Sequence, residues 1–319
     1  MSSTFEAAEG IVGIDTLMCG RERATSAYLV RAREPALVET GPTTSRDALL
    51  EGLRNLGVGP GDLAHIIVTH IHLDHAGGAG SIAPHFPGAT IWVHERGAPH
   101  LADPARLMSS AIRVYGEERL YEMFGPVEPV PPERLRALSD GDVIDLGDRT
   151  IESIETPGHA SHHVCLRDTA TGAIWVGDAL GVLLPDVKIL RPATPPPEFD
   201  LELAVSSINK VADRKPTRLL FSHFGPSDDV AHLCSLAVRR VKKWTTIVEA
   251  ALTRTEDPAE IVRILREETA AEVNPISPER GTGFHDKYEL LSSYEMNAQG
   301  LIRYVKKRAE VSSTQDRSG

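Results

Sequence analysis

Short apolar runs separated by charged or glycine-containing breaks dominate the first two-thirds of the chain. The runs are rich in β-branched and aromatic residues, which is typical of strands. The first five predicted strands are residues 11–18, 26–32, 35–40, 65–70 and 89–95. The first three follow one another closely and predict a meander, whereas the last two are runs of the buried-strand type.

Two stretches between these strands have helical spacing instead. In residues 45–57 the leucines share one face, and we expect Ser45 to cap the start and Gly57 to end the helix. Residues 96–125 predict a helix whose aromatic side chains either pack in the core or form a lid over a site.

A second strand-rich part follows, with turn sequences between its strands. The predicted strands are residues 142–147, 149–159, 162–168, 173–180 and 218–225, with a helix at 201–213 before the last. The pattern of strands followed by a helix therefore occurs twice, which favours an α/β protein with layered sheets.

The pattern becomes helical after about residue 228. Residues 228–252, 258–272 and 287–308 predict three helices, and Pro258 stands at a first helical turn. The polar residues 309–319 predict a disordered tail. We therefore divide the chain into a first, strand-rich domain at 1–228, a helical region at 229–308 and the tail.

Composition narrows the range of partners. The 34 basic and 45 acidic residues give a net charge of −11, which disfavours nucleic acid as a partner. Three separated cysteines indicate a reducing compartment. Neither a signal peptide nor a membrane span is predicted, so we expect a cytoplasmic protein that does not bind membranes. The apolar faces of the C-terminal helices could form the interface of a homodimer.

The densest chemistry lies at residues 69–78, THIHLDHAGG, directly after a predicted buried strand. His70 and His72 are two apart on an extended backbone, so their side chains share a side. Asp74 and His75 follow once the chain turns. Imidazoles with a carboxylate suit zinc, iron and related divalent ions.

Three further residues of ligand type each follow a predicted strand. His159 ends TPGH, Asp178 ends WVGD and His223 ends FSH. The ends of several strands can converge on one cleft in an α/β layered fold. The sequence therefore predicts a metal site rather than a chance cluster of polar residues.

The ordered set HIHLDH, PGH, GD and SH resembles the metallo-β-lactamase superfamily of metallohydrolases over roughly residues 10–225. The resemblance implies an αββα sandwich of two mixed sheets, here with a C-terminal helical extension. It also implies two divalent metal ions, zinc first, with iron or manganese as alternatives. The first ion would be bound by His70, His72 and His159, the second by Asp74, His75 and His223, and Asp178 would bridge them.

The resemblance also implies a mechanism. A hydroxide bridging the two metals would attack the substrate, while Asp74 orients it or passes a proton to the leaving group. Many members have aspartate in an early strand-turn where this chain has Glu39. We expect Glu39 to keep the role of orienting a ligand histidine, with altered geometry.

The sequence around the motifs narrows the choice among the reactions that members of the superfamily catalyse. The chain looks like the glyoxalase II and lactonase branch, which predicts hydrolysis of a small ester, thioester or lactone. The proline-rich segment 181–200 would shape the pocket, and the candidate substrate contacts are Leu184, Ile189, Phe199, His162 and His163. A mononuclear-iron persulfide dioxygenase is the alternative enzyme, and a metal-binding scaffold without turnover is the third reading.

Overall fold

The computed structural model describes residues 3–184, 189–273, 287 and 289–316. Contacts within the chain define two compact units. The first unit comprises Met1–Glu155, His162–Gly177 and Val211–Val230, and the second comprises Thr156–Ser161, Asp178–Lys210 and Ala231–Gly319.

A mixed sheet opens the first unit. Its seven described strands lie in chain order, and they are β1 Thr4–Ala8, β2 Ile11–Asp15, β3 Ser26–Val30, β4 Ala36–Val38, β5 His65–Ile67, β6 Thr90–His94 and β7 Leu135–Leu138. Pairing is antiparallel from β1 to β4 and parallel from β4 to β7. The predicted meander and the two buried strands after it therefore share one sheet.

A second mixed sheet completes the first unit, with the order β15-β14-β11-β10-β9-β8 among the described residues. Its strands are β8 Val143–Asp145, β9 Thr150–Glu155, β10 Val164–Asp168, β11 Ile174–Gly177, β14 Leu219–Phe221 and β15 Gly225–Ser227. The neighbours β11 and β14 run parallel, and the other pairs are antiparallel.

Apolar side chains of both sheets meet in one core. Tyr28 and Ile67 from the first sheet and Val164 and Trp175 from the second are all fully buried in it, and the rings of Tyr28 and Trp175 lie 6.2 Å apart. The opposite face of the first sheet packs on helices, with Leu49 in that second cluster. Each sheet thus buries a face against the other, which is the arrangement of a sandwich.

Short helices surround this core. They are α1 Arg46–Asn55, α2 Leu73–Ala76, α3 Ala79–Ile82, α4 Ala98–Ala102, α5 Ala105–Tyr115 and α6 Glu117–Phe124. The predicted capping by Ser45 is wrong, because a 3-10 turn precedes α1 and the Ser45 side chain makes no cap hydrogen bond. The single helix expected at 96–125 is three helices, because Asp103 is extended and Gly116 has a φ of 77°.

Helices form most of the second unit. A hairpin of β12 Val182–Leu184 and β13 Ile189–Arg191 precedes α7 Leu201–Asp213, α8 Val230–Leu252, α9 Pro258–Val273 and α10 Tyr294–Asp316. Their shared core includes Phe199, Trp244 and Tyr304. Among the helices described, none is both long enough and apolar enough to cross a membrane.

The predicted architecture of two mixed sheets with helices and a C-terminal helical region is confirmed. Its internal divisions differ from those read in the sequence. Residues 178–210 group with the C-terminal helices rather than with the sheets. Helix α10 continues to Asp316, into the segment for which the sequence predicted disorder, while residues 317–319 lie outside the described part.

Candidate metal centre

The histidine-rich motif forms where the chain leaves strand β5. The amide of Val164 donates to the carbonyl of Thr69 at 2.8 Å, which ties this exit to the second sheet. Helix α2 begins directly after His72, and the amide of His75 donates to the His72 carbonyl at 3.0 Å. The change from extended to helical backbone turns Asp74 and His75 away from the line of the strand.

Asp74, His75 and His223 form a compact cluster in the first unit. Each offers one ligand atom, and these atoms lie within 4.8 Å of one another. Oδ2 of Asp74 lies 3.2 Å from Nε2 of His223 and 3.7 Å from Nε2 of His75. Both imidazoles are fully buried, whereas the Asp74 side chain is 19% exposed. The cluster therefore has two rigid nitrogen donors and one carboxylate that reaches the solvent.

A second buried carboxylate, Glu39, lies behind this cluster. Its Oε1 accepts hydrogen bonds from Thr69 Oγ1 at 2.6 Å and Ser222 Oγ at 2.9 Å, and it lies 3.0 Å from Nδ1 of His75. An ionised carboxylate only accepts hydrogen bonds, so Nδ1 of His75 must carry the proton. The lone pair of His75 is then on Nε2, the atom nearest Asp74. Glu39 has a φ of 67°, in the left-handed region.

Thr69 fixes the position of the ring proton on His70 in the same way. Its hydroxyl donates to Glu39, so its oxygen can only accept from Nδ1 of His70, which lies 3.0 Å away. The proton of His70 is therefore also on Nδ1, and its lone pair is on Nε2. His223 follows the same rule, because its Nδ1 lies 3.1 Å from the carbonyl of Ala24. Fixing one ring nitrogen in this way orients the other toward a metal.

His70 and His72 approach each other through the nitrogens that remain. Nε2 of His70 lies 3.0 Å from Nδ1 of His72. Two nitrogen ligands of a tetrahedral zinc, each about 2.0–2.1 Å from the ion, would be about 3.3 Å apart. The spacing of this pair is close to that value, so the donors of the first unit fit a divalent metal.

His162 and His163 pack against these rings. The His163 ring centroid lies 4.9 Å from that of His70, and the His162 ring stacks on His70 at 6.2 Å. Nδ1 of His162 lies 3.5 Å from the amide of Ile71. In the first unit both residues thus contact the histidine motif itself.

Gly177 shows why a glycine precedes Asp178. Its φ is 47°, and a Cβ there would lie 2.5 Å from Nε2 of His163 and 2.7 Å from Oγ1 of Thr69. A side chain would therefore collide with residues that support the histidine motif. Only glycine combines this backbone conformation with such a close approach.

The second unit holds the other two candidate ligands. Nε2 of His159 lies 3.4 Å from Oδ2 of Asp178, and Nδ1 of His159 lies 3.0 Å from the carbonyl of Ala193. The bond to the carbonyl assigns the proton of His159 to Nδ1, as for the histidines of the first unit. Gly158 has a φ of 137° and lies so close to Ala204 that a Cβ would be 2.3 Å from its amide nitrogen.

A pocket in the second unit includes this ligand pair. Phe199, one of the predicted substrate contacts, lines it. Leu190 lines it as well, whereas the predicted contact Ile189 is buried and is not part of the lining. Leu184 belongs to strand β12, and its side chain lies outside the described part of the molecule.

Several residues of the site carry no sequence signal that reveals them. Arg240 and Val241 of α8 line the pocket, although in the sequence they are part of an ordinary amphipathic helix. Thr69 and Ser222 each directly precede a candidate ligand histidine in the sequence. This adjacency is the sequence feature that indicates a role for them, and in the structure both hydroxyls donate to Glu39.

Comparison with known proteins supports a metal-binding interpretation. The sequence model that describes the metallo-beta-lactamase superfamily matches residues 20–223 of this chain. The chain is 28% identical over 167 residues to the metallo-beta-lactamase fold-containing protein ST1585 of Sulfurisphaera tokodaii, covering 51% of this chain and 61% of that protein. It is 32% identical over 136 residues to the acyl-coenzyme A thioesterase MBLAC2 of Gallus gallus, covering 39% of this chain and 44% of the relative.

Solved structures agree on the fold. ST1585 from Sulfolobus tokodaii superimposes with a TM-score of 0.62 at 21% identity, covering 88% of this chain and 93% of that one. A beta-lactamase domain protein from Burkholderia ambifaria gives a TM-score of 0.63 at 20% identity, covering 94% and 87%. The fold and the His/Asp clusters together imply divalent metal ions. The chain belongs to the metallo-beta-lactamase superfamily.

Proposed function

We propose that this protein is a metal-dependent hydrolase of a small ester, thioester or lactone that uses two divalent metal ions. The observation that carries the proposal is the cluster of Asp74, His75 and His223. Two buried imidazoles have their Nδ1 atoms engaged by Glu39 and by a carbonyl, and they present Nε2 to the Asp74 carboxylate. This is how metal-binding histidines are held in proteins.

The proposed ligand sets follow the motifs. His70, His72 and His159 hold the first ion, Asp74, His75 and His223 hold the second, and Asp178 is shared. The close pairs within each unit support this division, since His70 meets His72 and His159 meets Asp178. Zinc is the proposed metal, with iron or manganese as alternatives, because all three accept imidazole and carboxylate ligands.

When bound, such ions polarise a carbonyl oxygen and lower the pKa of a coordinated water toward about 7. The protein's own part is orientation and proton handling. Glu39 and Thr69 fix the proton positions on His75 and His70. Asp74 is the partly exposed member of its cluster, so its carboxylate is placed to take a proton and deliver it to a leaving group.

The substrate class rests on two supports. A relative of this chain is named an acyl-coenzyme A thioesterase, although the match covers less than half of either protein. The net charge of −11 disfavours nucleic acid as a substrate. Three further points stay predictions. Product analysis tests membership of the glyoxalase II branch, cell fractionation tests the cytoplasmic location, and mass photometry tests the homodimer.

A substrate panel tests the proposal. The full chain is loaded with zinc, iron or manganese and assayed on thioesters, esters, lactones and phosphodiesters. We expect hydrolysis of a carboxylic substrate, and we expect Asp178→Ala to lower kcat by about a hundredfold or more, because metal ions supply several kcal/mol of transition-state stabilisation. His232→Ala, a change of an exposed histidine in α8, is the matched control and should leave kcat unchanged.

Two outcomes would contradict parts of this account. Full activity in the Asp178→Ala variant would remove Asp178 as a shared ligand. Oxygen uptake with glutathione persulfide by protein holding one iron per chain would replace the hydrolase with a dioxygenase.

A further inference from the structure

A backbone carbonyl fixes the imidazole of the proposed ligand His159. Nδ1 of His159 lies 3.0 Å from the carbonyl oxygen of Ala193, and the histidine is buried. Because a carbonyl only accepts hydrogen bonds, the ring proton is on Nδ1, and Nε2 is the atom that can bind a metal. The direction of Nε2 therefore depends on where the backbone holds Ala193.

The segment that contains Ala193 has little support from regular structure. Residues 192–195 follow strand β13 and precede helix α7, and they belong to neither a helix nor a strand. Pro192 and Pro195 have no amide hydrogen to donate. The position of this segment must therefore come from side chains that pack beside it.

Asn297 of helix α10 holds the residue that follows Ala193. Asn297 is fully buried. Its Oδ1 lies 2.7 Å from the amide nitrogen and 2.8 Å from Oγ1 of Thr194, and accepts from both. Its Nδ2 donates to Oγ of Ser292 and to the carbonyl of Ser293, each at 2.8 Å. The Thr194 amide can only donate and the Ser293 carbonyl can only accept, so one orientation of the Asn297 amide satisfies both.

Ser292 holds the residue that precedes Ala193. Its hydroxyl accepts from Nδ2 of Asn297 and donates to the carbonyl of Pro192 at 2.7 Å. The guanidinium of Arg191 donates to the carbonyl of Ser292 at 2.8 Å. Both neighbours of Ala193 are thus bonded to one buried network, and Asn297 is the residue that joins its two sides.

Gly300 permits the close approach of helix α10 to this segment. A Cβ at Gly300 would lie 1.9 Å from the carbonyl oxygen of Thr194 and 2.9 Å from the carbonyl carbon of Pro195. Residues three apart lie on the same face of a helix, so Gly300 and Asn297 face the segment together. Glycine is unfavourable inside a helix, and this contact explains its presence here.

We propose that Asn297 is a positioning residue for His159, and that it acts through the carbonyl of Ala193. The inference rests on the proposed function, because His159 is a ligand only if the protein binds metal. It gives the C-terminal helix α10 a part in the metal centre. Partners that orient a ligand histidine typically contribute about 10–100-fold in metal affinity. Asn297 acts through one further residue, so we expect the lower end of that range.

Zinc titration of the full chain tests the proposal. In competition with a chromophoric chelator, Asn297→Ala should weaken the binding of one of two zinc ions by about tenfold and leave the other unchanged. Ser292→Ala removes a single hydroxyl and should weaken the same ion by a smaller factor. Wild-type affinity for both ions in both variants would overturn the proposal. A wild type that takes up no zinc would instead refute the proposed function.

Leu301→Ala is the matched control. Leu301 is fully buried in the same helix, in the apolar cluster of the C-terminal helices. Its side chain cannot form hydrogen bonds, so this variant loosens α10 without removing a bond to residues 192–195. Its zinc affinity should equal that of the wild type. If Leu301→Ala weakens zinc binding as much as Asn297→Ala does, a general loosening of the helix explains both variants and the proposal is overturned.

A double-mutant cycle with His159→Ala tests the route of the effect. If Asn297 acts through His159, Asn297→Ala should not weaken zinc binding further once His159 is absent. The same loss in both backgrounds would show that the effect reaches the metal by another route, which contradicts the proposal.

The tautomer of His159 provides a readout without metal. Nitrogen-15 shifts of the labelled imidazoles in the metal-free full chain, at mildly alkaline pH, show which ring nitrogen carries the proton, and His159→Ala assigns the signals. Wild type and Leu301→Ala should hold the proton on Nδ1, and Asn297→Ala should show a mixture of Nδ1 and Nε2 forms. An unchanged tautomer in Asn297→Ala would overturn the proposal. If wild type binds no zinc and the tautomer still changes, the proposed function fails and the positioning of His159 by Asn297 stands.

Discussion

Replacing Glu39 by glutamine tests how the metal ligands are oriented. The carboxylate is buried. Its Oε1 accepts hydrogen bonds from the hydroxyls of Thr69 and Ser222 and faces Nδ1 of His75. Glu39→Gln keeps the length of the side chain. It removes the charge and turns one oxygen into an amide that donates hydrogen bonds instead of accepting them.

The size of the effect can be worked from these contacts. The glutamine carbonyl can take the place of Oε1 and keep its three contacts, each now with a neutral acceptor. Hydrogen bonds to charged groups contribute about 1.5–3 kcal/mol and neutral ones about 0.5–1.5 kcal/mol. The new amide would also face the amide of Thr69, which now lies 3.3 Å from Oε2, with a donor against a donor. We expect the free energy of unfolding of the metal-free protein to fall by about 2–4 kcal/mol.

Metal affinity should fall as well. Loss of a partner that orients a ligand typically weakens metal binding about 10–100-fold, which is about 1.4–2.7 kcal/mol. Competition titration with a chromophoric zinc chelator measures the affinity, and urea unfolding of the metal-free protein measures stability. Thr69→Val, which removes the link to His70 and leaves Glu39 beside His75, should weaken zinc binding by about tenfold.

Thr245→Val is the control for these variants. Its buried hydroxyl donates to the carbonyl of Val241 within α8 at 2.8 Å, so the change should cost about 1 kcal/mol of stability. Zinc affinity should not change. Wild-type zinc affinity in Glu39→Gln, with stability reduced, would refute the argument and leave Glu39 as a structural residue only.

Three further predictions concern other parts of the chain. Gly177→Ala should lower zinc affinity at least tenfold, measured by the same titration, because the new methyl collides with His163 and Thr69. Burial raises the pKa of the Cys234 thiol to about 11, so the contribution of this group to stability is full below pH 9 and is lost as the pH rises toward 11. In urea unfolding, the wild type should therefore lose more stability between pH 8 and pH 11 than Cys234→Ala does, and an equal loss in both would contradict this. Arg191→Leu, which removes a buried guanidinium bonded to the Ser292 carbonyl, should cost about 3 kcal/mol in urea unfolding.

The placement of the ligand residues at strand ends was predictable from the sequence, because each ligand motif follows a short apolar run. Helix α7 was found at its observed bounds, since its helical spacing stands between clear breaks. The break at Gly116 was missed, because apolar spacing continues on both sides of it and only its φ of 77° reveals the turn. Leu190, rather than Ile189, lines the pocket, a difference of one residue that reverses the side of a strand.

The contacts of Glu39 could be anticipated only in part. A carboxylate near a ligand histidine follows from the motif, but its approach to Ser222 depends on the folded chain. The lining residues of α8 were not predictable for the same reason. Ala237 and Val241 lie more than 25 residues beyond Ile208 in the sequence, and no local pattern joins them.

Metal content per chain tests the central claim most directly. The protein is purified without added metal or chelator, analysed by inductively coupled plasma mass spectrometry, and then titrated with zinc. The account predicts about two divalent ions per chain, falling to about one in His75→Ala. A chain that holds no metal, and takes up none on titration with zinc, iron or manganese, would contradict the claim that THIHLDHAGG is part of a metal centre.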